Sequence, residues 1–194
     1  MFELQGNLQF VHVDIDYVKA LHDVCSEVYY MPEEYENKPC IGILVSKGGY
    51  KYVLSMTSAK IKHKSWKNVD SDRMLVYEMV DYHVLSGNDI WVKSDDTDIV
   101  KHILAAIDIK KMIPVKDDVI SRVDINYSDN DNPDEKKYKD LLNKEYAFCL
   151  KIIDDIVIKA SRIYEKQMET GKVKCSPAIL RLWRVLLIHI KSSI

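Results

Sequence analysis

The sequence predicts an α+β protein in which a bent antiparallel β-sheet packs against helices. Strand-like segments dominate the chain up to Val115, and helical spacing dominates after Lys136. This order favours an antiparallel sheet over an alternating parallel fold. With 194 residues, 47% of them hydrophobic, and only six glycines and five prolines, the chain is long enough for one substantial core. We therefore expect a single domain over residues 1–194.

The first half of the chain carries the clearest local signals. The segment IGILVS, KGG, YKYVLSM predicts a β-hairpin, because two β-rich runs flank a glycine-bearing turn. Before it, LQFVHV alternates like a strand, and Asp14 caps a predicted short helix that runs to Val24. Further strands are predicted in RMLVYEMVDYHVL, in DIWVK, and in ILAAIDI followed by KKMIPV, where Pro114 ends or bends the strand.

The second half predicts helices. From Lys136 to Glu169, apolar residues recur every three or four positions, which predicts one long helix, and Gly171 supplies a stop. A final amphipathic helix is predicted from Ser176–Pro177 through ILRLWRVLLIHI. No stretch reaches the roughly 18 to 20 apolar residues of a membrane span, and no signal-peptide pattern opens the chain, so we expect a cytoplasmic protein.

Several classes of chemistry lack the motifs that they require. The chain contains no GxSxG, GxxxxGK[ST], GxGxxG or HExxH motif. Cys25, Cys40, Cys149 and Cys175 form no CxxC pair and no zinc-site spacing. We therefore expect reduced structural thiols, no disulfide and no bound metal.

Charge is distributed unevenly although the formal net charge is only -2. Glu36–Lys67 contains seven lysines and one acid, whereas Asn68–Val100 contains eight acids against Arg73 and Lys93. Because salt screens charges beyond about 10 Å, a cationic face attracts phosphates even in a slightly acidic protein. Four of the lysines fall in SMTSAKIKHKSWK, residues 55–67, immediately after the hairpin. A solvated lysine-rich loop is the alternative interpretation.

Five segments spread through most of the chain carry a family resemblance. They are Asp16–Leu21, Asn37–Ile43, Gly49–Tyr52 leading into Thr57–Lys60, Ile107–Val115, and the predicted helix from Tyr138 to Ala160. In order and spacing they resemble the ToxN and AbiQ family, the endoribonuclease toxins of type III toxin–antitoxin systems. The match is poorest over residues 68–98, which we interpret as a family-variable insertion, and at the C-terminal helix.

The resemblance implies a strongly bent antiparallel sheet and metal-independent cleavage of RNA. In this reaction the adjacent 2′-hydroxyl is the nucleophile, and the products carry a 2′,3′-cyclic phosphate and a 5′-hydroxyl. The implied substrates are messenger RNA, cut at adenine-rich sites, and the precursor of the toxin's own antitoxin. That antitoxin is a structured RNA derived from tandem repeats, which the toxin retains in a closed protein–RNA ring. The resemblance implies no cofactor and no membrane partner. It does imply growth arrest and phage defence by abortive infection.

Catalytic roles follow from the resemblance for five residues. Thr57 and Ser58 match the family's hydroxyl pair and are expected to orient the phosphate and the 2′-hydroxyl, since alcohols are poor bases. Lys60 matches the catalytic lysine, which would stabilise transition-state charge and, if its pKa is lowered, donate a proton. Tyr17 and Lys38 match positions that the family brings into its cleft. Ordinary packing is the alternative for Tyr17.

RNA-binding roles are predicted for six further residues: Tyr35, Lys62, His63, Lys64, Trp66 and Lys67. The lysines would neutralise backbone phosphates, so that affinity falls steeply with salt. Trp66 would stack on a base or pack in the protein interior. Tyr35 would lie in the cleft that the resemblance implies or pack in the interior. A neutral-range pKa would suit His63 to proton transfer, but neighbouring cations oppose its protonation, and a phosphate contact is at least equally expected.

Two other functions remain open at this point. The first is an RNA-binding protein that uses the same lysines without cleaving. The second is an mRNA-cleaving toxin with a similar bent sheet that is paired with a protein antitoxin. A change of Lys60 to alanine separates the first alternative from an enzyme, because only an enzyme has cleavage to lose.

Overall fold

A computed structural model gives the structure of most of the chain. It describes residues 1–4, 6–26, 28–30, 41–95 and 98–170. Two candidate site residues, Tyr35 and Lys38, lie outside these ranges, as do the predicted stop at Gly171 and the predicted C-terminal helix from Ser176.

Within the described ranges the chain forms seven strands and three α-helices. The strands are β1 (Phe10–Val13), β2 (Ile41–Lys47), β3 (Tyr50–Ser58), β4 (Arg73–Asp81), β5 (Trp91–Lys93), β6 (Ile99–Val115) and β7 (Ile120–Arg122). The helices are α1 (Ile15–Val24), α2 (Pro133–Lys151) and α3 (Ile153–Thr170). Short 3-10 helices cover Ile61–Ser65, Tyr82–Val84 and Asp117–Val119.

All strands belong to one antiparallel sheet, which confirms the predicted α+β class. Its order is β4-β6-β3-β2-β1-β7, and β5 also pairs with β6. Register shifts between Val53 and Ser55 and between Val76 and Tyr77 interrupt the ladders on either side of β6. Such bulges bend and twist the strands that contain them.

The 17-residue strand β6 organises the part of the sheet that carries the site. One of its edges pairs with β4 over Ile99–Asp108. Its other edge pairs first with β5, at Val100–His102, and then with β3, from Ala105 to Val115. Strands β5 and β3 therefore occupy successive stretches of the same edge, although more than thirty residues separate them in sequence.

The predicted hairpin is confirmed as β2 and β3. Ile41 pairs with Met56 at one end and Lys47 pairs with Tyr50 at the other. The turn residues Gly48 and Gly49 have φ values of 59° and 82°. Positive φ at both central positions characterises the tight turn whose twist matches the flanking strands, and glycine adopts it without steric cost.

The sheet has a hydrophobic cluster on each face. The larger cluster lies against α2 and α3 and includes Leu54, Ile107, Cys149 and Ile156 among its buried side chains. The second cluster lies against α1 and includes Val18, Leu21, Val53 and Ile113. Since adjacent residues on a strand point to opposite faces, Leu54 and Val53 place the two clusters on opposite sides of β3. No helix in the described part of the chain has the length and apolar character needed to cross a bilayer.

The helical region predicted over Lys136–Glu169 is confirmed, but a break at Ile152 divides it into two helices. Helix α2 begins earlier, at Pro133, where the Asn132 side chain accepts hydrogen bonds from the first turn in a capping box with Glu135. It ends at Ile152, whose φ of -116° and ψ of 14° leave the helical region. The two helices have different partners in the sheet, since α2 packs mainly on β4 and α3 packs on β6.

The segment 68–98, interpreted from the sequence as an insertion, contains strands that are integral to the sheet. Met74 and Val76 of β4 are buried in the larger cluster, with exposures of 1% and 0%. The strand predicted to continue through Tyr82–Val84 stops at Asp81, whose carboxylate accepts a hydrogen bond from the His83 N–H. Pro114 was predicted to end or bend its strand, and β6 ends one residue later, at Val115. This end of β6 lies outside the stretch Ile99–Asp108 that pairs with β4.

Candidate functional site

The candidate site lies where β3 leaves the edge of β6. Ser58, the last residue of β3, pairs with Ala105, and Trp91, the first residue of β5, pairs with His102. The chain between these two strands leaves the sheet through residues Lys60–Lys67, which we call the cationic turn. A rigid strand end is a common location for functional groups, because the sheet fixes the backbone that presents them.

Thr57 and Ser58 are exposed at the end of β3. Their partners across the ladder are Ala106 and Ala105, so no long side chain stands directly opposite either hydroxyl on β6. The pair is therefore held by backbone hydrogen bonds and open to solvent. This position suits the predicted task of orienting a bound phosphate.

The four lysines of the cationic turn are exposed and lack acidic partners in the described part of the chain. None of Lys60, Lys62, Lys64 and Lys67 forms an ion pair with a described carboxylate. The nearby acids are engaged elsewhere: Asp72 pairs with Lys110 at 2.9 Å. The turn thus presents positive charge that a bound phosphate can neutralise.

Aromatic rings lie beneath three of these lysines. The distances from ammonium nitrogen to ring centroid are 6.0 Å for Lys60 over Tyr29, 5.6 Å for Lys62 over Trp66, and 5.6 Å for Lys64 over Trp91. A ring face attracts a cation without neutralising its charge. These contacts orient the lysines while leaving their charge available to a ligand.

His63 lies inside the turn, with an exposure of only 1%. The ring Nδ1 of His63 accepts a hydrogen bond from the backbone N–H of Lys60 at 3.1 Å. The backbone N–H of His63 donates a hydrogen bond to the Lys60 carbonyl at 2.8 Å. Burial, reinforced by Lys62, Lys60 and Arg73, lowers the pKa of His63 to about 4. The predicted phosphate contact is therefore corrected: His63 is a neutral side chain that closes the turn.

Trp66 is half-buried and packs against protein groups. Its ring centroid lies 4.4 Å from that of His63, and the guanidinium carbon of Arg73 lies 4.1 Å from it. It also packs on a small cluster formed by Leu75, Ile103 and Ala106. Of its two predicted roles, the contacts favour packing over base stacking.

Sequence reasoning missed the aromatic pair of Trp91 and Tyr82 beside the turn. Their ring centroids are 5.2 Å apart at an interplanar angle of 67°, and Tyr82 is 48% exposed. The aromatic residues near strand DIWVK were visible in the sequence. Their proximity to Ser58 follows only from the shared edge of β6, which local patterns do not reveal.

Tyr17 lies at the other end of β3. Its hydroxyl donates a hydrogen bond to the carbonyl of Pro114 at 2.8 Å. Pro114 pairs with Tyr52, six positions before Ser58 on β3. Burial, together with the negative charge of Asp118, raises the pKa of Tyr17 to about 12. The structure therefore does not bring Tyr17 to the hydroxyl pair, its ring packs on the cluster beside α1, and its catalytic role stays a prediction.

In the ranges that the structure describes, no group of three or more His, Cys, Asp or Glu side chains could hold a metal ion. His102, for which the sequence offered no companion, lies with Nδ1 3.0 Å from Glu78 and Nε2 3.8 Å from Asp89. Glu78 also pairs with Lys144 of α2 at 3.2 Å. These contacts tie β4, β6 and α2 together beside the site. The roles of Tyr35 and Lys38 remain predictions, since both lie outside the described residues.

Exposed hydroxyls, lysines without acidic partners and adjacent aromatic rings are the elements with which α+β proteins bind single-stranded nucleic acid. Comparison with protein families gives the more specific result. The model of the family "Toxin ToxN, type III toxin-antitoxin system" matches residues 9–181. The chain belongs to this family.

Known relatives agree with this assignment. The chain is 23% identical over 168 residues to Endoribonuclease ToxN of Bacillus thuringiensis subsp. kurstaki, covering 87% of this chain and 73% of that protein.

Solved structures share the fold. One comes from work on selective toxin inhibition by a non-coding RNA pseudoknot in type III systems. Its TM-score is 0.59 at 20% sequence identity, and the match covers 84% of this chain and 80% of the chain in that structure. Another is AbiQ, a lactococcal anti-phage endoribonuclease, with a TM-score of 0.55 at 19% identity and coverage of 83% and 82%.

Proposed function

We propose that this protein is a sequence-selective, metal-independent endoribonuclease toxin that cleaves messenger RNA and the precursor of its own RNA antitoxin. The observation that carries the proposal is the exposed Thr57–Ser58 pair followed directly by lysines with no acidic partner among the described residues. Membership of the ToxN family supports it, and so do two similar proteins that are endoribonucleases, the relative from Bacillus thuringiensis and AbiQ.

The proposed reaction is an internal displacement at phosphorus. The ribose 2′-oxygen forms a bond to the adjacent phosphorus, and the bond from phosphorus to the 5′-oxygen of the next nucleotide breaks. The 2′-hydroxyl loses a proton, and the departing 5′-oxygen gains one. The products are a 2′,3′-cyclic phosphate and a 5′-hydroxyl, and no external nucleophile or cofactor is consumed.

Each group at the end of β3 has a role in that reaction. The hydroxyls of Thr57 and Ser58 donate hydrogen bonds that hold the phosphate and align the 2′-oxygen. The Lys60 ammonium stabilises the extra negative charge on the phosphorane, which is greater in the transition state than in the substrate. Lys62, Lys64 and the neighbouring Lys67 bind flanking phosphates. Lys38 remains a proposed member of the cleft.

The proposed inhibitor is a structured RNA that occupies the same surface. A folded RNA presents phosphates and unstacked bases, which are the groups that the cationic turn and the pair of Trp91 and Tyr82 bind. Solved structures with this fold come from work on a non-coding RNA pseudoknot and on a processed non-coding RNA that regulates an antiviral system. We propose that this toxin likewise assembles with repeat-derived RNA into a closed complex and acts in the cytoplasm in phage defence.

The test uses purified protein and a synthetic single-stranded RNA, with and without EDTA. We expect cleavage in both conditions, with 5′-hydroxyl and 2′,3′-cyclic phosphate ends. Replacing the ribose at the cleavage site with 2′-deoxyribose should abolish cutting at that position, because the nucleophile is absent. Cleavage that persists at the deoxy position, or that EDTA abolishes, would overturn the mechanism.

The variant Lys60→Ala separates an enzyme from a protein that only binds RNA. Loss of one charge-stabilising donor is expected to lower kcat by roughly 10²- to 10³-fold while most RNA affinity remains. Lys116→Ala is the matched control, since Lys116 is exposed just beyond β6, at the end far from Ser58. A wild-type protein that binds the RNA without cutting it would establish the alternative.

A further inference from the structure

A continuous stack of side chains connects Lys60 to the start of β4. The backbone of Lys60 donates a hydrogen bond to Nδ1 of His63 at 3.1 Å. The His63 ring contacts Trp66 at 4.4 Å between centroids, and the guanidinium of Arg73 lies 4.1 Å from the Trp66 centroid. Four residues that span fourteen positions of sequence thus form one row behind the exposed ammonium group.

Arg73 anchors the far end of this stack to the sheet. It is the first residue of β4 and pairs with Asp108 of β6. Its guanidinium nitrogens lie 3.3 Å from Asp70 and 3.3 Å from Asp72. Asp72 in turn pairs with Lys110 of β6 at 2.9 Å. The guanidinium is therefore held by two carboxylates, and that of Asp72 is itself tied to β6.

These contacts distinguish Arg73 from the lysines of the cationic turn. Two carboxylates already balance its charge, and its side chain is only 29% exposed. The lysines are exposed, lie over aromatic rings and have no acidic partner among the described residues. A phosphate therefore gains less from Arg73 than from Lys62 or Lys64, because binding would first require the existing ion pairs to break.

From this geometry we propose that Arg73 is a positioning residue for RNA cleavage, acting through Trp66 and His63 to hold the backbone of Lys60. The inference rests on the proposed function and adds to it a residue from β4, in the segment where the family resemblance is poorest. A planar guanidinium suits this role, since it stacks on an indole ring while its edge pairs with carboxylates. Displacing a catalytic group by about 1 Å can lower a rate by roughly 10²-fold.

The kinetic test compares Arg73→Gln with Arg122→Gln, whose arginine is exposed on β7. On a cleavable RNA, the Arg73→Gln protein is expected to lose about 10- to 100-fold in kcat with KM within about twofold of wild type. Arg122→Gln should leave both constants unchanged. An Arg73→Gln protein with raised KM and normal kcat would overturn the inference, because Arg73 would then bind RNA directly.

A second readout follows the stack without using activity. The positive charge of Arg73 is one of the groups that lower the pKa of His63. Nuclear magnetic resonance titration of the His63 ring should therefore show a higher pKa in Arg73→Gln than in wild type, and no change in Arg122→Gln. An unchanged His63 titration would show that the Arg73 charge does not lie close to the His63 ring and would overturn the inference.

Conservative variants cover the case in which Arg73→Gln does not fold. Trp66→Phe retains a ring, and Arg73→Lys retains the charge but loses the planar fork. Both should show reduced kcat at nearly constant KM, with Trp66→Phe the less affected. Wild-type kcat in both variants would overturn the inference. If wild-type protein cuts no RNA, the proposed function fails, whereas the His63 titration still decides whether the stack connects Arg73 to Lys60.

Discussion

Ser58 and Trp91 pair with residues of β6 that lie only three positions apart, Ala105 and His102. At about 3.3 Å per residue, this spacing corresponds to roughly 10 Å along the strand. The last residue of one strand and the first residue of another thus share a site although 33 positions separate them in sequence. In the proposed complex, an RNA whose phosphate is held at Ser58 would pass close to the Trp91 ring.

Trp91→Ala should therefore weaken RNA binding. Base stacking on an aromatic side chain contributes about 1–3 kcal/mol per base, which predicts a roughly 5- to 150-fold increase in Kd. Trp91→Phe should retain most of the affinity, since a ring remains. Fluorescence anisotropy with a labelled, non-cleavable 2′-deoxy-substituted RNA measures the effect. The control is Tyr127→Ala, which removes another exposed ring; an equal loss in that variant would refute a specific contact at Trp91.

Salt dependence should report the lysines of the cationic turn. Each lysine that neutralises a phosphate of single-stranded RNA adds about 0.7 to the slope of log Kd against log salt concentration. Replacing Lys62, Lys64 and Lys67 together by glutamine should lower the slope by about 2. Binding titrations between roughly 50 and 200 mM salt measure it. Lys116→Gln serves as the single-site control, and an unaltered slope in the triple variant would place the phosphates elsewhere.

Acid should destabilise the native protein through His63. Its native pKa of about 4 is below the ordinary value of 6.5, so between these pH values the unfolded chain binds a proton that the native chain excludes. The free energy of unfolding therefore decreases as the pH falls from 6.5 towards 4, by an amount on the order of 2–3 kcal/mol. Below pH 4 this contribution no longer changes, and above pH 6.5 it is absent.

The variant His63→Gln isolates this contribution. Glutamine can still accept the Lys60 N–H bond but does not titrate, so the variant should lose less stability than wild type over the same pH range. Urea unfolding at about pH 4.5, 5.5 and 7 provides the comparison. His83→Gln, at an exposed histidine, should follow the wild-type profile. Parallel profiles for wild type and His63→Gln would contradict the buried, neutral state of His63.

Close contact between β2 and β3 makes Gly42 intolerant of a side chain. A Cβ at Gly42 would lie 2.2 Å from Cγ1 of Val53 and 2.5 Å from the carbonyl oxygen of Leu54. The backbone oxygen cannot move without disturbing the ladder, so Gly42→Ala should destabilise the protein by about 1–3 kcal/mol or more. Gly87→Ala is the matched control, because nothing lies within 4 Å of its Cβ position. Urea denaturation measures both; equal midpoints would contradict the packing of this hairpin.

Elements whose pattern lies within one short segment of the chain were predicted correctly from the sequence. The β2–β3 hairpin was predicted because its strands and its glycine turn are contiguous, and α1 because Asp14 caps it directly. The cationic turn was found from lysine density within thirteen residues. Each of these depends on neighbours in the chain, so pattern and propensity were sufficient.

Features that depend on tertiary contacts were missed or misassigned. The apolar spacing continues through Ile152, so nothing in the pattern marks the break between α2 and α3. His63 was predicted to contact a phosphate or to transfer a proton, whereas the turn folds its ring inward. Arg73 and Trp91 reach the site only through pairing with β6, which no short-range pattern reports.

The dependence of the site on β6 has a consequence for synthesis of the protein. Strands β3, β4 and β5 all pair with β6, so a nascent chain that has not yet emerged as far as Val115 has no template on which to bring Ser58, Arg73 and Trp91 together. Fragments released early by the ribosome would carry every lysine of the turn without the assembled centre. A bacterium that makes such a toxin is therefore exposed to its activity only after translation has passed Val115.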